Sequence, residues 1–296
     1  MKVSAVTDEI SSDFETAVEL GVSWGIQDFE IRGLGAHRIG KAWGYLEDRA
    51  INVIKDFEVN VVALSPGVFK IPLAEKKISD ELTILGWQGY QKFREREQSS
   101  RDIEQHLDVV LPNTFRIAKQ LQTNIVIVFG IVKPTGARGK CPQAVIDFLQ
   151  EAAKRAEKQG ITLALENEHI CWADTGKNTA AIVERVGSKA LRVNWDPANA
   201  FLADETPFPD GYEYVKDYII HVHFKDAAID PATGRKKFVT NGAIDWESQL
   251  RELQNAGYNG HISIETHCRP KIRCARETLE RIKSILGMRQ VFKEKQ

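Results

Sequence analysis

A single closed barrel of eight parallel strands with helices between them, the (β/α)8 TIM barrel of the α/β class, is predicted by three observations. Short strand-like runs alternate strictly with amphipathic helical stretches along all 296 residues, the pattern of right-handed βαβ crossovers. No G-x-G-x-x-G follows the first strand, where a doubly wound dinucleotide fold would carry it. Unusual polar residues stand at the C-terminal ends of several different strands, where barrel active sites assemble.

The predicted strands are KVSAV (2–6), QDFEIR (27–32), VNVVALS (59–65), TNIVIVFG (123–130), ITLALE (161–166), ALRVNWD (190–196), YIIHVHF (218–224) and GHISIE (260–265). Runs such as NIVIVF are apolar on both faces, as strands covered by helices outside and packed inside a barrel must be. Helices are expected over 13–20, 46–58, 103–121 with a kink at Pro112, 141–160, 178–187, about 209–217, 245–257 and 274–286. Gly21 and Gly160 supply stops. Residues 66–100 follow neither period and read as an irregular insertion after strand three, on the face where strands end. No linker or internal repeat divides the chain, so 1–296 is read as one domain.

Composition narrows the function. An apolar fraction of 43% supports a large core. A net charge of −1 and a pI of 6.7 argue against a general nucleic-acid or anionic-membrane binder. Four cysteines in no C-x-x-C spacing fit a reduced compartment. The opening MKVSAVTDEI lacks the apolar core of a secretory signal, and no run of about 18 apolar residues occurs. A soluble, cytoplasmic protein is expected.

The chemistry gathers on the last four strands. Strand five ends in Glu166, Asn167 and Glu168; strand six in Asp196, with Asn199 beyond; strand eight in Glu265 and His267. In the strand-seven stretch HVHFKD, His221, His223 and Lys225 share one face because side chains alternate. Carboxylates crowded at one rim repel one another in a poorly solvated pocket, and a divalent ion removes that cost. The candidate ligands are Glu166, Asp196, His223 and Glu265. Three carboxylates and one imidazole form a hard, oxygen-rich set that suits Mn²⁺ first, then Mg²⁺, Co²⁺ or Zn²⁺.

LALENE, NWDPAN, HVHFKD and ISIETH together resemble the sugar phosphate isomerase/epimerase family, of xylose isomerase-like barrel architecture. The resemblance is close over about 160–270 and architectural over 1–130. It implies one divalent metal held by Glu166, Asp196, His223 and Glu265, with His221 supporting from below. It further implies a metal-dependent isomerase or epimerase of a sugar or sugar derivative, phosphorylated or not, working through an enediolate with Glu166 and Glu265 as base and acid. A dehydratase of an inosose-type ketone and a non-catalytic carbohydrate-binding barrel are the alternatives. Several relatives place a histidine three residues after the strand-six aspartate; here that residue is Asn199, suited to a substrate hydroxyl. Strands two to four end without the extra histidines of a trinuclear apurinic endonuclease, which disfavours a nucleic-acid substrate.

Supporting roles complete the expectation. Lys225 is expected to meet a substrate oxyanion or phosphate, His267 a hydroxyl, and Trp172 to wall the sugar carbons. Glu30, with Arg32 at the end of strand two, reads either as a contact to a sugar hydroxyl or as part of an ion pair within the barrel. Arg269, with Lys271, Arg138 and Lys140, is expected to meet a phosphate. The expected partner is a small sugar, with no nucleic acid and no membrane, and with a homo-oligomer left open.

Overall fold

The computed structural model describes residues 1–41, 44–73 and 103–288. Most of the expected insertion, 74–100, lies outside the described residues. Eight strands form a closed barrel: β1 (Lys2–Val6), β2 (Asp28–Ile31), β3 (Asn60–Val68), β4 (Ile125–Phe129), β5 (Thr162–Glu166), β6 (Leu191–Trp195), β7 (Ile219–Phe224) and β8 (His261–Ile264). All neighbours run parallel, and β8 closes on β1 with Lys2 opposite His261 and Ala5 opposite Ile264. Every strand of the expected order is present.

Several helices begin where the sequence offers a side-chain acceptor for the free N–H groups of the first turn. Asp13 accepts from Thr16 N–H to start Phe14–Ser23, Thr175 accepts from Asn178 N–H to start Gly176–Val186, and Asp245 accepts from Ser248 N–H to start Trp246–Asn255. Gly187, at φ 65°, ends the second of these in the left-handed region that suits glycine. Their apolar faces and the outward faces of the strands make the main core, with Phe29, Leu64, Val128, Leu165, Val193 and Phe224 buried in it.

The barrel interior is different. A small apolar cluster of Ala63, Ile127, Phe129 and Ala164 fills the β3–β5 side. The opposite side is polar: Ser4 Oγ donates to Ser263 Oγ at 3.0 Å, and Glu30, Asn194, His221 and His223 are all fully buried. Apolar packing inside the cylinder, expected from the strand composition, therefore holds for only part of it.

Three short elements depart from expectation, all where strands end. A helical turn, Thr7–Ile10, follows β1 directly. Gly33–Leu34 and His37–Arg38 form a hairpin after β2, and Asp226–Ile229 and Lys236–Val239 form another after β7. The expected kink near Pro112 takes the form of a π-helical turn, His106–Val110, running into the helix Leu111–Gln120; helices bend at such turns and at proline. None of the described helices is long and apolar enough to cross a membrane.

His106 ties this region to the rim. Its Nδ1 accepts from Phe69 N–H at 2.8 Å, holding Phe69 at φ 65°, and Lys41 Nζ lies 2.6 Å from Nε2. Burial, then Lys41, lowers its pKa to about 4. The unfolded chain takes up this proton near pH 6.5 and the folded chain only near 4, so folding stability should fall as pH drops through that window. The loss traceable to His106 should be on the order of 2 kcal/mol. Urea unfolding of the protein and of His106→Gln at pH 7 and pH 4.5 measures it; equal pH dependence in both would exclude the effect.

Candidate metal centre

Strand ends place the four expected donors. Glu166 is the last residue of β5, Asp196 the first beyond β6, His223 the penultimate residue of β7, and Glu265 the first beyond β8. One donor atom from each lies within 4.8 Å of the others. All four are buried, with exposures from 0 to 4%.

Local sequence explains how two of them are held. Asp196 is followed by proline at the first position of Pro197–Leu202, and its Oδ1 caps that helix by accepting from Asn199 N–H at 3.0 Å. Oδ2 is left to face the cluster. Asn167, just beyond β5, donates to the Asp196 carbonyl and accepts from the Asp196 N–H, both at 2.7 Å. Asn199 Nδ2 donates to Glu166 Oε1 at 3.1 Å and Asp196 Oδ2 at 3.2 Å, while its Oδ1 is buried without a partner.

Two buried cations enter the same cluster. Lys225 Nζ lies 2.6 Å from Asp196 Oδ2 and 2.5 Å from Glu265 Oε2. Arg32 reaches across from the end of β2 to bond Glu265 Oε1, Glu9 Oε1 and both oxygens of Asp8. Burial alone would raise the Glu265 pKa, but Lys225 and His223 hold it well below the usual carboxylate range. Asp196 moves the other way: burial, reinforced by Glu166 and Glu265 and opposed by Lys225, raises it to about 6. Among the described residues, no lysine or arginine is bonded to Glu166, whose partners are Asn194 Nδ2 at 3.3 Å, Asn199 Nδ2 and, at 3.5 Å, His223 Nδ1.

The repulsion that called for a divalent ion is thus partly met by Lys225 and Arg32. The donor chemistry still fits one. Three carboxylates and an imidazole Nδ1 converge from four strands, and that set matches a single Mg²⁺-, Mn²⁺- or Zn²⁺-class ion better than a solvated acidic patch.

The supporting residues are only partly where the sequence led. Lys225 is fully buried against two of the candidate ligands, so its ammonium is committed before any substrate oxyanion arrives. Glu30, read either as a substrate-hydroxyl contact or as an ion pair within the barrel, takes the second place: it is 0% exposed and bonds His221 and His223, because the residue facing inward from β2 sits one layer below the rim. His267 stands at the mouth at φ 52°, its Nδ1 2.9 Å from Glu9 Oε1 and its Nε2 3.7 Å from Glu265 Oε1. Trp172 packs against the main core, its backbone N–H donating to the carbonyls of Gly130 and Ile131. Arg269 is exposed in the turn before Lys271–Ile285, and Lys271 Nζ donates to the Asp8 carbonyl.

Among the described residues, Phe238, on the hairpin after β7, places an aromatic ring at the mouth. Its centroid is 5.2 Å from Lys225 Nζ and 5.3 Å from the His267 ring. Sequence reasoning also missed Glu9, which accepts from Arg32, Thr266 Oγ1 and His267 N–H. The signal was present: Asp8 and Glu9 follow β1 as directly as Glu166 ends β5.

A family model described as xylose isomerase-like TIM barrel matches residues 18–285. No curated protein sequence matches the chain. Similar solved structures include the probable 3-DHS dehydratase AsbF of Bacillus anthracis, at 16% identity, TM-score 0.67, and 96% and 99% coverage of the two chains. They include D-allulose 3-epimerase of Methylomonas sp. in complex with D-allulose, at 13% identity, TM-score 0.68, and 96% coverage of each. A third is the IolI protein with a zinc atom, at 17% identity, TM-score 0.66, and 97% and 98% coverage. At these identities the likeness is one of fold.

Proposed function

From the fact that this chain belongs to the xylose isomerase-like TIM barrel family, we propose that it is a divalent-metal-dependent isomerase or epimerase of a sugar or sugar derivative. The observation that carries the reading is the meeting of Glu166, Asp196, His223 and Glu265 within 4.8 Å at the rim. These four would hold the ion, with Mn²⁺ favoured by the oxygen-rich set and Mg²⁺, Co²⁺ and Zn²⁺ as competitors. When bound, such an ion acts as a Lewis acid on the substrate carbonyl.

The chain's own groups supply the proton chemistry. Glu166 takes the proton from the carbon beside the carbonyl; its oxygens are bonded by amides and faced by one imidazole, leaving it the freer of the two glutamates. Glu265, clamped between Arg32 and Lys225, holds position on the other side. As an ionised carboxylate it returns a proton only after taking one, and the Lys225 ammonium that donates to its Oε2 is the adjacent source. The unpartnered Asn199 Oδ1 accepts from a substrate hydroxyl. Phe238 covers the sugar carbons, the part first given to Trp172. A proton returned to the same carbon gives an epimer, and one returned to its neighbour gives an isomer.

The test is deuterium incorporation into a panel of ketoses, D-allulose among them, in D₂O with each of the four metals in turn. Exchange at carbon 3 is expected for an epimerase and at carbon 1 for an isomerase, and a chelator should abolish either. Loss of water without isomer formation would move the protein to the dehydratase class. Ligand binding without exchange would make it a binding module and overturn the proposal.

A further inference from the structure

Glu30 is an expensive residue to keep inside a barrel. It is fully buried on β2, with two strands, β1 and β8, between it and β7 around the cylinder. A buried carboxylate needs donors for its lone pairs. Here Oε2 lies 3.0 Å from His221 Nε2 and 3.0 Å from His223 Nε2, and Oε1 lies 3.2 Å from His223 Nε2. Two histidines packed edge to face, with rings 5.6 Å apart, need no carboxylate to fill that space.

We infer that Glu30 is a positioning residue that fixes which nitrogen His223 offers to the metal. An ionised carboxylate only accepts, so both imidazoles must present N–H from Nε2. A neutral imidazole that donates from Nε2 carries its lone pair on Nδ1. On the far side of the ring, Nδ1 faces Glu265 Oε2 at 3.2 Å and Glu166 Oε2 at 3.5 Å. Asn194 Nδ2 lies 3.2 Å from the same Nδ1, and an amide donor there also requires an acceptor. The Glu30 contact fixes the Nε2 proton, and the amide favours a lone pair on Nδ1. The Glu166 and Glu265 carboxylates favour a proton there, which a bound divalent ion would displace. His221 binds the Glu30 oxygen that His223 also uses, which stops the carboxylate from turning away. Metal-bound histidines commonly have such a carboxylate on the other nitrogen, and its loss weakens metal binding by about 10- to 100-fold.

The inference rests on His223 being a ligand, as proposed above, and the experiment separates the two. Co²⁺ is titrated into the full-length protein and into Glu30→Gln and His223→Ala, following affinity by chelator competition and geometry by the visible spectrum. Glutamine fills the same volume, but the amide nitrogen that replaces Oε1 would face the His223 Nε2–H donor to donor, while its oxygen can still serve His221. Glu30→Gln should bind Co²⁺ about 10- to 100-fold more weakly with an altered spectrum and unchanged circular dichroism. If His223→Ala binds as well as the unaltered protein, the ligand assignment fails. If His223→Ala loses the ion while Glu30→Gln keeps both affinity and spectrum, the Glu30 inference fails alone. Two ions per chain would also overturn it, since Glu30, His221 and His223 form a second group of donors within 4.8 Å. A check without any variant is a two-bond proton–nitrogen correlation spectrum of the Zn²⁺-loaded protein. The His223 proton should be on Nε2, and a proton on Nδ1 would refute the inference.

Discussion

Glu166→Gln should lower deuterium exchange into a turned-over ketose by at least about 10²–10⁴-fold, the contribution of a positioned general base. Glutamine keeps the length and volume of the side chain at the end of β5. Its amide oxygen can still accept from Asn199 Nδ2, as Glu166 Oε1 does. What disappears is the group able to take a proton. The corresponding change at Glu265 is less clean, because it would strip a partner from both Arg32 and Lys225 and disturb the fold together with the chemistry. The rate is measured at saturating metal, so that weaker ion binding by the variant does not count as lost catalysis. A variant within tenfold of the unaltered protein would remove Glu166 from the role of base.

The largest effect on stability is expected at Arg32. Its guanidinium, 8% exposed, is shared by Asp8, Glu9 and Glu265 from the ends of β1 and β8. Exposed ion pairs contribute little, but removing one partner of a buried set leaves uncompensated charge. Arg32→Met keeps the apolar stem and discards all the donors. The unfolding free energy should drop by about 3–5 kcal/mol in urea denaturation at neutral pH. Glu9 shows why: burial opposes its charge, and His267 together with Arg32 holds its pKa well below the ordinary value. A loss under about 1 kcal/mol, the scale of an exposed pair, would show that the cluster is solvated in solution.

The barrel was legible because its signals are local and repeated. Eight apolar runs separated by helices of one period leave few topologies, and the glycine signal holds at Gly160, whereas Gly21, read as a stop, lies inside the helix Phe14–Ser23. The four donors were legible because chemistry in such a barrel concentrates at strand ends, which can be read from strand positions alone. Partners across the interior were not. Which residue of β2 meets which residue of β7 depends on strand tilt and stagger, and no single strand records these. Glu30 therefore read as a rim residue when it lies a layer deeper. Lys225 read as free for substrate when two carboxylates already hold it. Phe238 escaped notice because its hairpin is short and charged, whereas Trp172 stood out by its residue type and packs, half-buried, against the core. Glu9 and Asp8 were missed by applying the strand-end rule only to the second half of the chain.

Asn167 carries one more consequence. With one N–H and one C=O turned towards the backbone of Asp196, its side chain imitates a peptide unit and adds a rung where β5 and β6 have begun to part. The span from residue 166 to residue 196 is thereby governed by ladder spacing, and loop slack does not enter it. Evolution or design can lengthen the segment after β5 freely, provided this amide stays, and the jaw formed by those two carboxylates will keep its gape.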